Sequence, residues 1–341
     1  MSWRFIAYDR ATGTALGELI DLQSRQFSLY RNQPPQATAQ LPIESPRNTT
    51  TLLQSGVTEM KIIDPNGSAV ESVFVLTTKQ YDLDVDGGSV ALGWEGIASY
   101  LADAGVLKQT TASTAGQAQL AWNLINEYQL RTGTVSNITQ GLVPSYDPSV
   151  TLNREDNMEL LQAIIDLSSL DPGFDWNVNT DREFDCYYPT RGSDNGLVLE
   201  VGVNCFAASI PEDAGPGRLT SDATVTTNGG IVATGTNTTI RTTYGRREAF
   251  ATYDQDSSTL AAAYASSIVN ATASPVGVPE VTLNMEHPTV QWGMFGIADT
   301  VTVRANLGEA GWYEAEATIA AIHGEIDEND NINVKLELNE A

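Results

Sequence analysis

The stretch WGMFGIADTVTV, residues 292–303, admits two readings. Two glycines, Gly293 and Gly296, precede Asp299. A glycine-rich turn ahead of a strand can cradle phosphate, and an exposed aspartate can act as a base. Alternatively the glycines only permit a turn. Val301 and Val303, alternating with Thr300 and Thr302, then enter a half-buried strand. The phosphate reading needs a helix or a lysine after the glycines, and neither follows. Asp299 also has no histidine near it in sequence. The stretch is therefore read as the way into a β-strand, with Val301 and Val303 facing a core. On that reading Val301→Asp unfolds or misassembles the C-terminal part of the chain, and Asp299→Asn leaves assembly largely intact.

Strand patterns surround this stretch. VPEVTLNME, ADTVTVRANL, GWYEAEATIAAIHGEID and NINVKLELNE read as four strands, the last two joined by a turn at Glu328–Asn331. The first hundred residues are also strand-like: Phe27 and Leu29 alternate with polar neighbours, and Pro65-Asn66-Gly67 and Asp86-Gly87-Gly88 punctuate a meander. GWEGIASYLADAG gives a short helical turn ending at Gly105. Two helical blocks follow. In the first, Ala118, Ala121, Ile125 and Tyr128 share a face with Leu120 and Leu124 beside them, and Gly133 is a C-terminal stop. In the second, Asn153 caps the start, Glu155 and Asp156 occupy the first turn, and Leu161, Ile164, Ile165 and Leu167 form the buried stripe that Asp171-Pro172-Gly173 ends. Thr180-Asp181-Arg182 is then a tight turn between strands carrying Trp176 and Val178 on one side and Phe184, Cys186 and Tyr188 on the other. Residues 209–230 read as a crossing loop, with Val225 a candidate strand position. Leu260, Tyr264 and Ile268 mark a last helix near 256–270.

The totals narrow the function. The chain has 341 residues, 41% of them hydrophobic, enough for two or three domains with cores. Its 43 acidic residues outweigh 18 basic ones, for a net charge of −25. That balance opposes gripping nucleic acid or an anionic membrane, and it suits solubility, high salt or a wall that DNA must pass without sticking. No apolar run is long enough to span a bilayer, and the N-terminus MSWRFIAYDRATG lacks the apolar region of a signal peptide, so synthesis in a cytoplasm without secretion is expected. Two cysteines, Cys186 and Cys205, are too few for a disulfide scaffold. They flank an expected hairpin turn at Gly192–Gly196 whose register sets Cys186 against a residue near Glu200, so two buried or half-buried thiols are expected.

No catalytic constellation emerges. His287 precedes Pro288 at a strand end and His323 lies inside a strand; no serine, histidine and acid are spaced as a triad. The DENDN run from Asp327 to Asn331 starts like a calcium loop but has Ile332 at its sixth position and Leu338 at its twelfth, so a hairpin turn is the better reading. The acids of Asp82–Gly88 lead straight into a turn. TTNGGIVATGTN, residues 226–237, has no phosphate-binding pattern. With 43 acids, no particular carboxylate pair points to glycoside hydrolysis. Trp122, Trp176 and Trp292 sit in core or seam patterns, though aromatics can also line a glycan groove. No catalytic, cofactor-binding or metal-ligating residue is assigned.

The order of these segments resembles the minor tail proteins of long, non-contractile-tailed phages, those of actinobacteria in particular. The resemblance runs through WRFIAYD, RQFSLYRNQPPQATAQLPI, LGWEGIASYLADAGV, AWNLINEYQL, ELLQAIIDLSSLDPGFDWNVNTDREFDCYYPTRG, STLAAAYASSIV and finally WGMFGIADTVTV. It covers nearly the whole chain in order; each motif is a packing pattern, and their succession is what is specific. Where such proteins carry Gly-Asp before the last barrel strand, this chain has Ala298-Asp299. The resemblance implies a mainly β hub fold with an α+β insertion: two small β-barrel domains side by side. The expected domains are a first barrel at 1–108, with part of 219–250 as a candidate completing segment, an insertion of helices and strands at 109–218, and a second barrel at 219–341. It further implies a non-enzymatic homotrimer at the virion tail tip. Such a hub joins the tail tube to the tip, lets phage DNA pass without specific binding, and has an indirect role in host attachment. Its expected partners are distal tail or tube proteins, the tape measure, and tip or receptor-binding proteins, with no membrane insertion and no cofactor. A glycan-binding or glycan-cleaving tail module and a surface β-adhesin are the alternatives.

Overall fold

The structure is a computed structural model. The structure describes residues 2–84, 87–106, 113–131, 136–144, 148–152, 158–210, 219–253, 257–271 and 280–340. The protein is mainly β. Seven strands open it: β1 (Arg4–Asp9), β2 (Ala15–Glu18), β3 (Gln23–Tyr30), β4 (Gln36–Pro42), β5 (Thr58–Ile63), β6 (Phe74–Asp84) and β7 (Gly87–Gly96). Their period-2 patterning sets which face is buried: in β4, Ala37, Ala39 and Leu41 are buried while Gln36, Thr38 and Gln40 are exposed. An α/β stretch follows, with β8 (Ser113–Gly116), α1 (Gln117–Gln129), β9 (Thr139–Gln140), β10 (Ser149–Leu152), α2 (Leu160–Ser168), β11 (Asp175–Val178) and β12 (Glu183–Tyr187). The chain continues through β13 (Asp194–Glu200), β14 (Cys205–Ser209), β15 (Asp222–Thr227), β16 (Val232–Thr236), α3 (Thr238–Tyr244), β17 (Glu248–Tyr253) and α4 (Ser258–Ala271). It closes with β18 (Glu280–Leu283), β19 (Thr300–Asn306), β20 (Trp312–Ile326) and β21 (Ile332–Glu340).

One 13-stranded sheet holds both ends of the chain. Its first half runs β3-β4-β7-β6-β5-β1-β2. Its second half runs β13-β19-β20-β21-β18-β14, and a Val201–Cys205 bridge joins β14 back to the end of β13, completing a ring of pairings. The 15-residue β20 is the joint. Its Trp312–Thr318 stretch pairs with β19, and its Ala321–Ile326 stretch pairs with β3. At this joint Gly324 faces Phe27 across the strands. A Cβ on Gly324 would lie 2.5 Å from the Phe27 ring, so only glycine lets the ring lie flat against β20. Trp292, at the head of WGMFGIADTVTV, meets Phe27 edge-on at 5.4 Å and Trp3 at 5.3 Å. That turn therefore supplies an aromatic contact at the seat of both halves.

The two halves share one hydrophobic core, which includes Phe5, Leu41, Ile62, Trp94, Leu199, Val281, Val303 and Leu336. A second core lies in the α/β module. It joins the inner faces of α1 and α2 (Ala121, Ile125, Ile164, Leu167) to Trp176, Val178 and Phe184. The β11–β12 hairpin forms as the Thr180–Arg182 turn predicts, with Trp176 opposite Cys186 and Val178 opposite Phe184.

Packing divides the chain differently from the expected ranges. Strands β13 and β14, expected in the insertion, belong to the large sheet. Residues 222–271, expected in the second barrel, belong with the module: Ala223, Val225, Leu260 and Ala265 are buried in the second core. The reason is pairing across long separations, which local patterning does not reveal. The expected loop around Val225 is the central strand of a three-stranded sheet, β16-β15-β17. A short helix, α3, was not anticipated; its Asn237 cap accepts the Ile240 amide at 3.1 Å. The hairpin expected at Gly192–Gly196 does not form, because β13 pairs in parallel with β19 and β12 pairs with β11 and β9. Helix α2 starts at Leu160, with no acid in its first turn. The expected cap Asn153, with Glu155 and Asp156, and the expected stop Gly133 lie outside the described residues. Tyr264 and Ile268 are half-buried, and Ala261, Ala265 and Val269 complete the stripe with Leu260.

Candidate functional site

Val301 and Val303 lie in β19 and are buried in the first core. Ala298 adopts φ +68°, the left-handed region in which glycine is at ease. Its methyl group is buried, and that burial offsets a backbone cost of about 1 kcal/mol. Asp299 turns out to be a clamp. Its Oδ1 accepts the Ser193 amide at 2.9 Å, and its Oδ2 accepts the Gly296 amide at 2.8 Å and Asn195 Nδ2 at 3.1 Å. The Thr300 amide in turn donates to the Ser193 carbonyl at 3.0 Å. These bonds start the parallel β13–β19 ladder. Both carboxylate oxygens serve the backbone, which is a structural use of the residue.

The sheet does bring a serine, a histidine and an acid together. Ser28 Oγ lies 2.8 Å from His323 Nδ1, and Glu337 Oε1 lies 3.0 Å from His323 Nε2. Tyr30 packs edge-on against the ring at 5.8 Å. Sequence spacing could not reveal this group, because β3 and β20 are 295 positions apart at Ser28 and His323. Hydrolysis by such a group needs donors aimed at an oxyanion. Ser28 sits mid-sheet, opposite His323 on one side and Gln36 on the other, so the ladder engages the backbone around it. The arrangement is a polar chain across three strands. His287 is elsewhere, with Nδ1 2.9 Å from Thr289 Oγ1.

Beside this chain lies a cleft of about 570 Å³ between the large sheet and the module. Tyr30, Arg31, Asn32 and Glu337 line one wall; Ser169, Leu170 and Asp175 line the other. Asp175 is 2% exposed, yet it is fully served. Arg31 Nε donates to it at 2.7 Å and Asn32 Nδ2 at 3.1 Å, and its second oxygen accepts Thr190 Oγ1 and the Arg191 amide, each at 2.8 Å. A carboxylate holding a cation and three further donors is a buried anchor. A second buried acid, Glu59, pairs with Arg182 of the β11–β12 turn. Burial raises the Glu59 pKa above the usual carboxylate range, and Arg182 partly opposes that shift.

The remaining candidates are structural. Asp327 closes the β20–β21 turn, accepting the Asn329 and Asn331 amides at 2.8 Å, so DENDN is the expected hairpin turn. Asp82 stands opposite Ser89 in the β6–β7 hairpin. Among the described residues no group of three metal-ligating side chains gathers, and no helix is long and apolar enough to cross a membrane. Cys186 lies in the second core and Cys205 in the first; no disulfide joins them. Burial pushes the Cys205 thiol up to about 12, which leaves it unreactive.

No family model and no curated protein matches this chain. Solved structures do. A 43 kDa tail protein of prophage MuSo2 from Shewanella oneidensis superposes with a TM-score of 0.69 at 13% identity, over 99% of this chain and 98% of that one. A tail protein from Neisseria meningitidis gives 0.66 at 13% identity, over 100% and 97%. The Escherichia coli c3393 protein gives 0.51 at 10% identity, over 94% and 74%; it is described as a type VI secretion component similar to the phage T4 tail proteins gp27 and gp5. Similarity over almost the entire length, at identities this low, is similarity of fold: the chain has the fold of phage tail proteins.

Proposed function

We propose that this protein is a structural hub at the tip of a phage tail, present in the virion and without enzymatic activity. The observation that carries the reading is the single sheet in which two halves stand side by side on β20, matched from end to end by phage tail proteins. In this reading each half serves as one barrel domain of the hub, and three chains set six such units in a ring. The ring adapts the tail tube to the tip and surrounds the path of the DNA, with an indirect role in host attachment. The net charge of −25 fits a passage that DNA crosses without binding. Its partners are the distal tail or tube proteins, the tape measure and the tip or receptor-binding proteins.

Light scattering of the purified protein, alone and mixed with the tail proteins of the same phage, tests this. The expected species contains three 36.6 kDa chains. A chain that remains monomeric and also fails to join purified tails overturns the reading. Electron microscopy of the tail tip tests the passage separately: a ring lined by net positive charge defeats the sliding role.

A further inference from the structure

The two cores meet across a seam whose specific contacts are polar. On the sheet side stand Arg31, Asn32, Glu59, Glu71 and Ser72; on the module side they meet Asp175, the Trp176 amide, Val178, Arg182 and the neighbouring Arg191. The Trp176 amide donates to Asn32 Oδ1 at 2.8 Å, and Ser72 Oγ donates to the Val178 carbonyl at 2.8 Å. Arg191 pairs with Glu71 at 3.0 Å, and Arg182 pairs with Glu59. Among the described residues of the large sheet's strands, Val75 alone contributes a buried side chain to the second core. The chain passes between the two bodies after Gly96, Tyr187, Ser209 and Ala271.

We propose that this seam is a latch, and that the module (residues 97–106, β8–β12 and β15–α4) swings away from the sheet as a unit. An apolar interface resists opening because water must then cover hydrocarbon. Here opening exchanges hydrogen bonds and ion pairs for water and rehydrates Glu59 and Asp175, while the cores stay closed apart from the Val75 contact. The Arg182–Glu59 pair at the turn end of the β11–β12 hairpin and the Asn32–Asp175 bonds at its other end release together, because the hairpin belongs to one packed core. The cleft between the bodies widens as they part.

Amide hydrogen exchange on the full chain reads this directly, since the Trp176 amide bonds across the seam. In the native protein the Trp176 amide is expected to exchange at least tenfold faster than those of Phe27 in the first core and Ile125 in the second, after correction for intrinsic rates. Arg182→Ala, at the far latch, is expected to accelerate Trp176 at least fivefold further. Equal protection at Trp176, Phe27 and Ile125 overturns the proposal, because the seam then opens only with global unfolding. A Trp176 rate that Arg182→Ala leaves unchanged also overturns it, because the amide then frays locally. Should Arg182→Ala not fold, Glu59→Gln, which removes the charge of the same pair, makes the same comparison.

Discussion

The Asp299 carboxylate accepts the Ser193 amide at 2.9 Å across 106 residues of sequence, and that bond opens the parallel β13–β19 ladder. Asn195 and Gly296 bind the other oxygen. The sequence reading expected Asp299→Asn to leave assembly largely intact, but it did not include these partners. An asparagine keeps one carbonyl oxygen and turns an amide group toward donors. Asp299→Asn is therefore expected to fold and to lose about 1 kcal/mol, and Asp299→Ala about 2 kcal/mol. Urea denaturation measures both, and an alanine variant as stable as the native chain would end the clamp reading.

Gly192 provides an independent probe of the same contact. A Cβ built on it would lie 1.8 Å from the Ala298 carbonyl oxygen, and the obstacle is backbone. Gly192→Ala must therefore push β13 and β19 apart. The expected loss is about 3 kcal/mol, with the module's exchange pattern retained. A normal thermal midpoint for this variant would mean that the two segments are not in contact.

Val301 is 2% exposed and stands in β19 between Leu197 and Ala317. Val301→Asp places a carboxylate there with no cation to receive it. The cost is expected to exceed about 4 kcal/mol, a large part of a domain's stability. Loss of the native near-ultraviolet circular dichroism is the readout, and Val301→Ile, which stays apolar, is the matched control.

What could be read from the sequence was local. The period-2 burial of Val301 and Val303, the helical stripe from Ala118 to Ile125 and the turn at Thr180–Arg182 all depend on neighbours in the chain. The pairings were not legible. Nothing near Asp194 signals Thr300, and nothing near Ser28 signals His323, because a strand's pattern gives its buried face but not its partner. The same limit hides the packing of Ala223, Val225, Leu260 and Ala265 in the second core. Asp175 and Glu59 were invisible for a related reason: among 43 acids, only the fold distinguishes a buried anchor from a solvated charge.

Glu59 and Arg182 give the seam a signature in pH. Glu59 is 2% exposed, its Oε1 has no hydrogen-bond partner, and burial holds its pKa above the usual carboxylate value. Between the ordinary and the raised value the folded chain binds more protons at this site than the unfolded chain does. Stability from Glu59 is therefore present below the ordinary value and lost as pH rises through the raised one. Arg182 limits that loss by pairing with the ionised form. Arg182→Ala removes the main cation beside a buried charge, leaving it the weaker pull of Arg10 and Lys61, an expected loss of about 3 kcal/mol. The deficit should shrink as pH falls through the raised range, because Glu59 then takes up a proton and needs no cation. Glu59→Gln is expected to lose about 1 kcal/mol and to be insensitive to pH at this site. Adding it to Arg182→Ala should recover part of the larger loss, the non-additivity expected of a direct pair. Urea denaturation of the four chains at pH 7 and pH 5 makes the comparison. A deficit of Arg182→Ala that is constant or grows toward pH 5 would show that Glu59 is not the charge it leaves exposed to the seam.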